Sequence, residues 1–437
     1  MKNFKKILSA LLLLILCDLY FTPLSVPIFI YINLFPKLSF HKTSTVRNKI
    51  LEDGAFLLAL FLLTVIAVPL YTLIAASTGF ITLPDSGSGW AALLPKLILW
   101  IVSEAILFWN GILRVYLTSV QLGIKWRIIG IICGWIPLVH IWALCKIIRI
   151  TRAEVQYEDD KYILNDTRAE NQECRTKYPL LLVHGVFFRD FRFFHYWGRI
   201  PVQLKKNGSV IYYGCQQSAA SVAECGQELS ERIRAIVQQT GCGKVNIIAH
   251  SKGGLDSRYA ITTCGAAPYV ASLTTINTPH RGCIFADYLL DKIPERVQQR
   301  VARTYNAALS KCGDRNPDFL EAVRDLTASS CAHMNEQLPD HPAVYYQSVG
   351  SIMNYAVSGR FPLNMSYPLV KHFDGANDGL VSLGSTKWGS HFISLSVPKG
   401  RGISHGDMID LNRENIPGFD VREFYTQLVK NLKQMGF

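Results

Sequence analysis

The chain has 437 residues, 49% of them hydrophobic, with 45 Lys and Arg against 33 Asp and Glu and a net charge of +12. That length exceeds one compact core and suits two or three domains. The positive balance does not point to nucleic acid, because the basic residues are scattered or flank apolar runs instead of lining one stripe. Basic residues beside apolar segments suit an anionic lipid surface.

The first 150 residues are dominated by long apolar runs. Met1-Lys-Asn-Phe-Lys-Lys6 followed by Ile7 to Cys17 opens like a signal peptide. No small-x-small site follows and Leu16 precedes Cys17, so cleavage is not expected. Residues 7–34, interrupted by Pro23 and Pro27, read as an uncleaved, kinked membrane segment, or as a hairpin that enters and leaves on one side. Ala55–Ala76, Leu97–Val120 and Ile128–Ile148 each have the length that a bilayer requires, about 20 apolar residues. Residues 1–150 are therefore expected to form an all-α transmembrane domain of about four segments, 7–34, 55–76, 97–120 and 128–148, with the lipid bilayer as its partner.

Loop charges do not settle its orientation. The 77–94 connection lacks Lys and Arg and would sit outside. Lys37, Lys42, Arg47, Lys49, Lys125 and Arg127 prefer the inside, but so do Lys2, Lys5, Lys6, Lys146, Arg149 and Arg152. Four simple spans cannot satisfy them all. Glu104 lies inside a segment, where an ionisable group is costly. Protonated, or bonded to Asn110 or Trp109, it need do no chemistry.

Residues 151–177 are polar and read as a linker, and residues 178–437 as a second domain. Tyr178–Val183 is a buried strand that ends in His184-Gly185-Val186. Phe187, Phe188, Phe191, Phe193, Phe194, Tyr196 and Trp197 then crowd one segment, which suits an acyl pocket, a membrane-facing mouth or plain core packing. Ser209–Tyr213 reads as a strand and Val222–Gln239 as a helix. The β-α-β alternation predicts a parallel sheet.

Val245-Asn-Ile-Ile-Ala-His-Ser251-Lys-Gly-Gly254 is a strand, a sharp turn with Ser at its apex, and the start of a helix. That is the nucleophile elbow of an α/β-hydrolase. The small residues Ala249 and Gly253 have a steric reason, since a larger side chain at so tight an apex would meet the neighbouring strand or helix. The backbone N–H groups of Val186 and Lys252 are the expected oxyanion hole, which requires two donors converging on one oxygen.

Val270–Ile276 is a further strand, residues 284–345 read as a helical cap or lid, and Val344–Val349 resumes the strand pattern. Asp378 follows in a Gly-rich turn, His405 in a late loop, and Val421–Met435 closes the chain as a helix. The order Ser251, Asp378, His405 is that of the α/β-hydrolase triad, with nucleophile, acid and base in turn. His391, His372 and His280 are rival bases and Asp374 is a rival acid, while Asp407 and Asp256 read as structural. There are 11 cysteines, no C-x-x-C pair and no zinc-like Cys/His spacing, so no metal or cofactor is expected. Cys312 with Cys331, or Cys215 with Cys225, have spacings that would allow a disulfide. Single cysteines through an enzyme-sized domain read better as reduced thiols, which favours the cytoplasm.

The segments Pro179–Gly185 (PLLLVHG), Ala249–Gly254 (AHSKGG), Thr278–Gly282 (TPHRG), Asn377–Ser382 (NDGLVS) and Gly402–Leu411 (GISHGDMIDL) occur in this order. Together they make residues 175–437 resemble bacterial triacylglycerol lipases of the α/β-hydrolase fold, especially the clostridial type. The resemblance implies a lipase or esterase acting on lipid or other carboxylic esters, with Ser251, Asp378 and His405 as its triad. Some relatives hold a structural calcium through an Asp shortly after the catalytic His and another upstream of the catalytic Asp. Asp407 matches the first position. The second falls near Ala356, in a stretch without acids, so calcium is not expected. The resemblance does not reach residues 1–150. An acyltransferase or thioesterase would use the same triad, and a membrane sensor or transporter with a non-catalytic hydrolase-like domain is the reading from another class.

Overall fold

The computed structural model describes residues 25–36, 45–78, 87–186, 196–311 and 313–437. It divides into two compact units, Met1–Asp166 and Thr167–Phe437.

The described part of the first unit is entirely helical: Ser25–Leu34, Val46–Ser77, Gly87–Thr118, Gly123–Ile132 and the long helix Pro137–Ala169, whose last residues lie past the boundary. The expected segment at 7–34 falls largely outside the described residues. Val46–Leu70 and Leu97–Thr118 are long and apolar enough to cross a membrane. The segment expected at 128–148 is not one continuous helix. The helix stops at Ile132, a 3₁₀ turn covers Cys133–Trp135, and a new helix starts at Pro137. Proline has no N–H to donate and fits the first turn of a helix, so it marks a start here. The same helix runs on to Ala169, so much of the stretch read as a linker is helical.

Two glycines let the paired helices approach closely. A Cβ on Gly54 would stand 2.8 Å from Arg114 Cβ, and one on Gly111 would stand 3.1 Å from the Leu58 backbone nitrogen. Small residues at such crossings are how apolar helices gain packing without a hydrophobic driving force. Several polar side chains inside the bundle are paired. Thr64 Oγ1 donates to Glu104 at 3.0 Å, so the partner of Glu104 is Thr64 and not the expected Asn110 or Trp109. Asn110 Nδ2 instead donates to the Asn33 carbonyl at 2.9 Å, and Arg114 Nε donates to Asn110 Oδ1 at 2.8 Å. Buried Glu154 accepts from Arg47 (2.7 Å), Ser119 Oγ (2.6 Å) and the backbone N–H groups of Val120 (3.0 Å) and Gln121 (3.1 Å). The outward faces stay apolar, with Leu63, Ile66, Ile98, Ile101, Leu113 and Trp135 among the exposed side chains.

The second unit is built on six parallel strands: β1 Leu180–Val183, β2 Ile211–Tyr213, β3 Val245–His250, β4 Val270–Ile276, β5 Tyr345–Ser351 and β6 His391–Leu395. Their order across the sheet is β2-β1-β3-β4-β5-β6, so the Ser-bearing strand lies inside it. Successive side chains of a strand point to opposite faces, and here both faces are covered. Leu180, Leu182, Ile248, Ile276 and Val349 pack on one side with Trp197, Leu204, Tyr425 and Leu428. Leu181, Val183, Ile247 and Leu273 pack on the other with Leu229, Ile233, Ala260 and Ile261. Double coverage is why these strands read as continuous apolar runs. Edge strand β6 was not expected. It is half-exposed and carries His391 and Ser394 among its apolar residues, which weakens the strand signal. Between β4 and β5 the described residues form four helices, Ile284–Lys292, Glu295–Lys311, Phe319–Arg324 and Ala328–Gln337, and no strand. None of the described cysteines forms a disulfide, Cys215, Cys225 and Cys331 included, and Cys312 lies outside the described residues.

Glu154→Ala would strand four donors at once. Its expected cost is about 1–3 kcal/mol, the range for buried donors left without an acceptor, since Arg47 itself reaches solvent. A drop in the thermal midpoint of the detergent-solubilised chain, measured by circular dichroism, checks this. An unchanged midpoint would show that the carboxylate is not a stabilising tie.

Candidate active site

Ser251 sits between β3 and the helix Lys252–Thr262 with φ 56° and ψ −134°. A positive φ is rare for a residue with a Cβ and persists only where the surroundings over-determine it. They do so here. The Ser251 N–H donates to the Ile276 carbonyl at 2.9 Å, and the Gly254 N–H to the Ser251 carbonyl at 3.1 Å. A Cβ on Gly185 would lie 2.7 Å from Ser251 Cβ, and a Cβ on Gly253 would run into the His184 carbonyl. Glycine is required at both positions because backbone meets backbone or the serine itself.

Asp378 and His405 come together. His405 Nδ1 donates to Asp378 Oδ2 at 2.7 Å, and the His405 N–H donates to the Asp378 carbonyl at 2.9 Å. Asp378 Oδ1 accepts the N–H groups of Leu380 (2.9 Å) and Val381 (2.7 Å). The fully buried carboxylate is thus held by three donors and aimed at one imidazole nitrogen. The turn that carries Asp378 follows β5 at a distance, with the helix Leu363–Asp374 between them, so the acid does not come directly off a strand.

The turn of His405 is tied to the residue before Ser251, His250, which the sequence reading passed over. The His250 ring lies 4.4 Å from the His405 ring, centroid to centroid, and its Nε2 is 3.2 Å from the His405 carbonyl. Tyr196 Oη lies 2.7 Å from His250 Nδ1 and accepts the Gly185 N–H at 3.0 Å. The consistent proton order is Gly185 N–H to Tyr196, Tyr196 O–H to His250 Nδ1, and His250 Nε2–H to the His405 carbonyl. One neutral imidazole therefore ties the loop after β1 to the turn of His405. Its position next to Ser251 was the available signal. Tyr196 was hidden in an aromatic run, most of which (187–195) lies outside the described residues.

Val186 follows Gly185 and is buried. Its neighbour His184 has ring nitrogens 2.9 Å from the Gly185 carbonyl and 3.0 Å from the Gln216 carbonyl, which holds this loop. Lys252 sends its side chain away from the serine, and Nζ meets Asp256 Oδ1 at 2.6 Å in a buried ion pair. Burial alone would lower the Lys252 pKa, but Asp256 outweighs it and holds the ammonium charged.

The rival residues have other partners. His280 is buried, accepts or donates with Thr275 Oγ1 at 2.9 Å and stacks on Trp388 at 5.1 Å. Asp374 accepts the N–H groups of Ile284 and Phe285 at the start of the helix Ile284–Lys292. His391 and His372 are exposed. Among the described residues no group of three or more His, Cys, Asp or Glu side chains could hold a metal ion.

The family described as "Putative serine esterase (DUF676)" matches residues 210–308, which include Ser251. A triacylglycerol lipase of Burkholderia plantarii is 34% identical over 183 residues, covering 39% of this chain and 51% of the relative. One of Pseudarthrobacter phenanthrenivorans is 34% identical over 176 residues, covering 38% and 54%. The chain thus spans about half the length of these two relatives. One of Pseudomonas fragi is 30% identical over 299 residues, covering 61% of this chain and 99% of the relative.

Burial pushes the pKa of His250 well below its ordinary 6.5, and the proximity of His405 acts in the same sense. A lowered folded pKa means that the unfolded chain binds more protons in the interval between the two values, so this stability is full above pH 6.5 and is lost as the pH falls below it. The gap in thermal midpoint between the wild type and His250→Gln should therefore narrow as the pH is lowered through that value. A gap that stays constant with pH would contradict a neutral, buried His250.

Proposed function

The chain belongs to the triacylglycerol lipase family, and on that premise we propose that it is a membrane-anchored serine hydrolase that cleaves carboxylic esters of lipids through an acyl-enzyme. The observation that carries the reading is the buried Asp378–His405 pair, whose histidine carbonyl meets His250, the residue before a serine on a strained strand-to-helix turn.

In this reading His405 Nε2 takes the proton of Ser251 Oγ as the oxygen attacks the ester carbonyl. Asp378 keeps Nδ1 protonated, which leaves Nε2 basic, and stabilises the imidazolium that forms. His405 then returns the proton to the leaving alcohol. A water molecule, deprotonated by the same nitrogen, attacks the acyl-serine carbonyl, and the proton passes to Ser251 Oγ as its bond to the acyl carbon breaks. The carbonyl oxygen becomes negative at each tetrahedral stage, and the N–H groups of Val186 and Lys252 are the proposed donors to it. The close approach of Gly185 to Ser251 supports Val186, and the helix start at Lys252 supports the second donor. A preorganised donor of this kind is worth about a hundred- to a thousandfold in rate. The four helices between β4 and β5 are the proposed cap over the serine.

The membrane part of the proposal is supported by the two helices of spanning length and by the exposed apolar side chains of the first unit. A tether of this kind would keep the serine beside an ester substrate that resides in a lipid phase. A multi-pass arrangement accounts for the polar pairs Thr64–Glu104 and Asn110–Asn33 being turned into the bundle, because polar groups facing hydrocarbon are costly.

Two measurements test the reading on the full chain in detergent. Ser251→Ala should lower kcat for aryl esters by about a thousandfold or more while leaving the thermal midpoint in place, and a fluorophosphonate should label only the wild type. The acyl-chain profile of the wild type then separates a long-chain lipase from a short-chain esterase. If a folded wild type neither turns over any ester nor takes the label, the hydrolase reading is wrong.

A further inference from the structure

The turn that carries His405 is closed around one carboxylate. Asp407 Oδ2 accepts the N–H of Ser404 at 2.8 Å and its hydroxyl at 2.7 Å, and the Asp407 N–H donates back to the Ser404 carbonyl at 3.0 Å. His405 lies inside this closed turn. The same carboxylate meets a single cation on both oxygens: Arg401 Nη1 is 2.7 Å from Oδ2 and Nη2 is 2.9 Å from Oδ1. A bidentate pair of this kind fixes direction as well as distance.

Arg401 does not stop at Asp407. Nη1 also donates to the Ser358 carbonyl at 3.0 Å, and Nη2 lies 3.4 Å from Glu414, which is itself held by Arg360. One guanidinium therefore gathers three stretches of chain: the turn of His405, the segment at 358 that precedes Asp378, and the segment at 414. The arginine is seated by its own backbone, since its carbonyl accepts the Asn354 N–H at 3.1 Å and the next-but-one residue, Ile403, donates to the Ile352 carbonyl at 2.8 Å.

The calcium that the family resemblance would bring to Asp407 does not fit these residues. Both oxygens of Asp407 face Arg401, and the segment upstream of Asp378 contributes a carbonyl, at Ser358, to the same guanidinium where a calcium site would need an acid. A second cation beside Arg401 would be repelled. We propose that Arg401 is a positioning residue that replaces a bound divalent cation: it clamps residues 404–407 and 358 together so that the His405 ring stays on Asp378. The inference rests on the reading of His405 as the base. It is not itself a claim that Arg401 touches substrate.

The test compares the wild type, Arg401→Ala and Arg401→Lys as full chains in detergent. Wild-type kcat and thermal midpoint should be the same in EDTA and in calcium chloride. Arg401→Ala should lose about ten- to a hundredfold in kcat, the range for groups that orient a functional residue from behind, with KM changed by less than about twofold. Added guanidinium chloride at tens of millimolar should restore part of that kcat, because a free guanidinium ion can enter the half-open site, whereas sodium or calcium chloride should not. Arg401→Lys keeps the charge but cannot span both carboxylate oxygens and the Ser358 carbonyl. It should fold with nearly the wild-type midpoint and still show a lowered kcat. The proposal is overturned if Arg401→Ala keeps wild-type kcat, if calcium and not guanidinium restores it, or if EDTA lowers the wild-type midpoint and calcium returns it. A wild type that turns over no ester defeats the hydrolase reading instead. The midpoints in EDTA and calcium then still decide whether a metal or Arg401 holds the turn.

Discussion

The second unit depends on how closely the backbone approaches itself around Ser251. A residue with a Cβ is held at φ 56°, one neighbouring loop passes so near that Gly185 has no room for a side chain, and Gly253 lies against the His184 carbonyl. Such a conformation is unfavourable in isolation, and the sheet holds it in place. β3 lies between β1 and β4, both faces of the sheet are covered by helices, and the Ser251 N–H is taken by the end of β4. The rigid interior can hold a strained apex because close-packed cores do not yield locally. In return, the strain holds the serine clear of its own strand and helix, where a proposed nucleophile has to be.

The residues around that apex form a continuous polar chain. Gly185, Tyr196, His250 and the His405 carbonyl are linked in sequence, and His405 goes on to Asp378. Beyond His405, Ser404, Asp407 and Arg401 continue the chain to residue 358. Buried polar groups are costly unless each has a partner, and networks of this kind rigidify a core when every member is satisfied. Three loops from distant parts of the sequence are thereby held in one register. Each loop carries one part of the proposed chemistry: the 185–186 loop a donor to the oxyanion, the 378 turn an acid and the 404–407 turn a base.

The first unit solves a different problem with related means. Its helices have apolar outer faces, so packing between them cannot come from withdrawing apolar surface from water if they lie in a bilayer. Close contact at Gly54 and Gly111 and inward polar pairs provide the alternative. Glu154 adds a fixed corner, where one carboxylate gathers the turn at 119–121 and the start of the helix Val46–Ser77. Charge here is used for register, as it is in the Arg401 cluster.

Much of this was legible in the chain before any coordinates. β1, β3 and β4 are visible as apolar runs because burial on both faces leaves no polar alternation to obscure them. Ser251, Asp378 and His405 stand in the chain order of an α/β-hydrolase and in turn sequences that suit their proposed roles, and Ala249 and Gly253 are small for a steric reason that the sequence already carries. What the sequence could not decide was which residues meet. Nothing local links His250 to Tyr196, or Arg401 to Ser358, because those contacts join positions that only the sheet topology brings together. Glu104 was recognised as a buried acid, but its partner, Thr64, lies on another helix. The break at Cys133–Trp135 was overlooked because hydropathy continues across it, while backbone direction does not. Local pattern determines the elements and the residue types that chemistry needs. Tertiary packing decides pairing, because hydrogen bonds and close contacts depend on distance in space, which sequence separation does not encode.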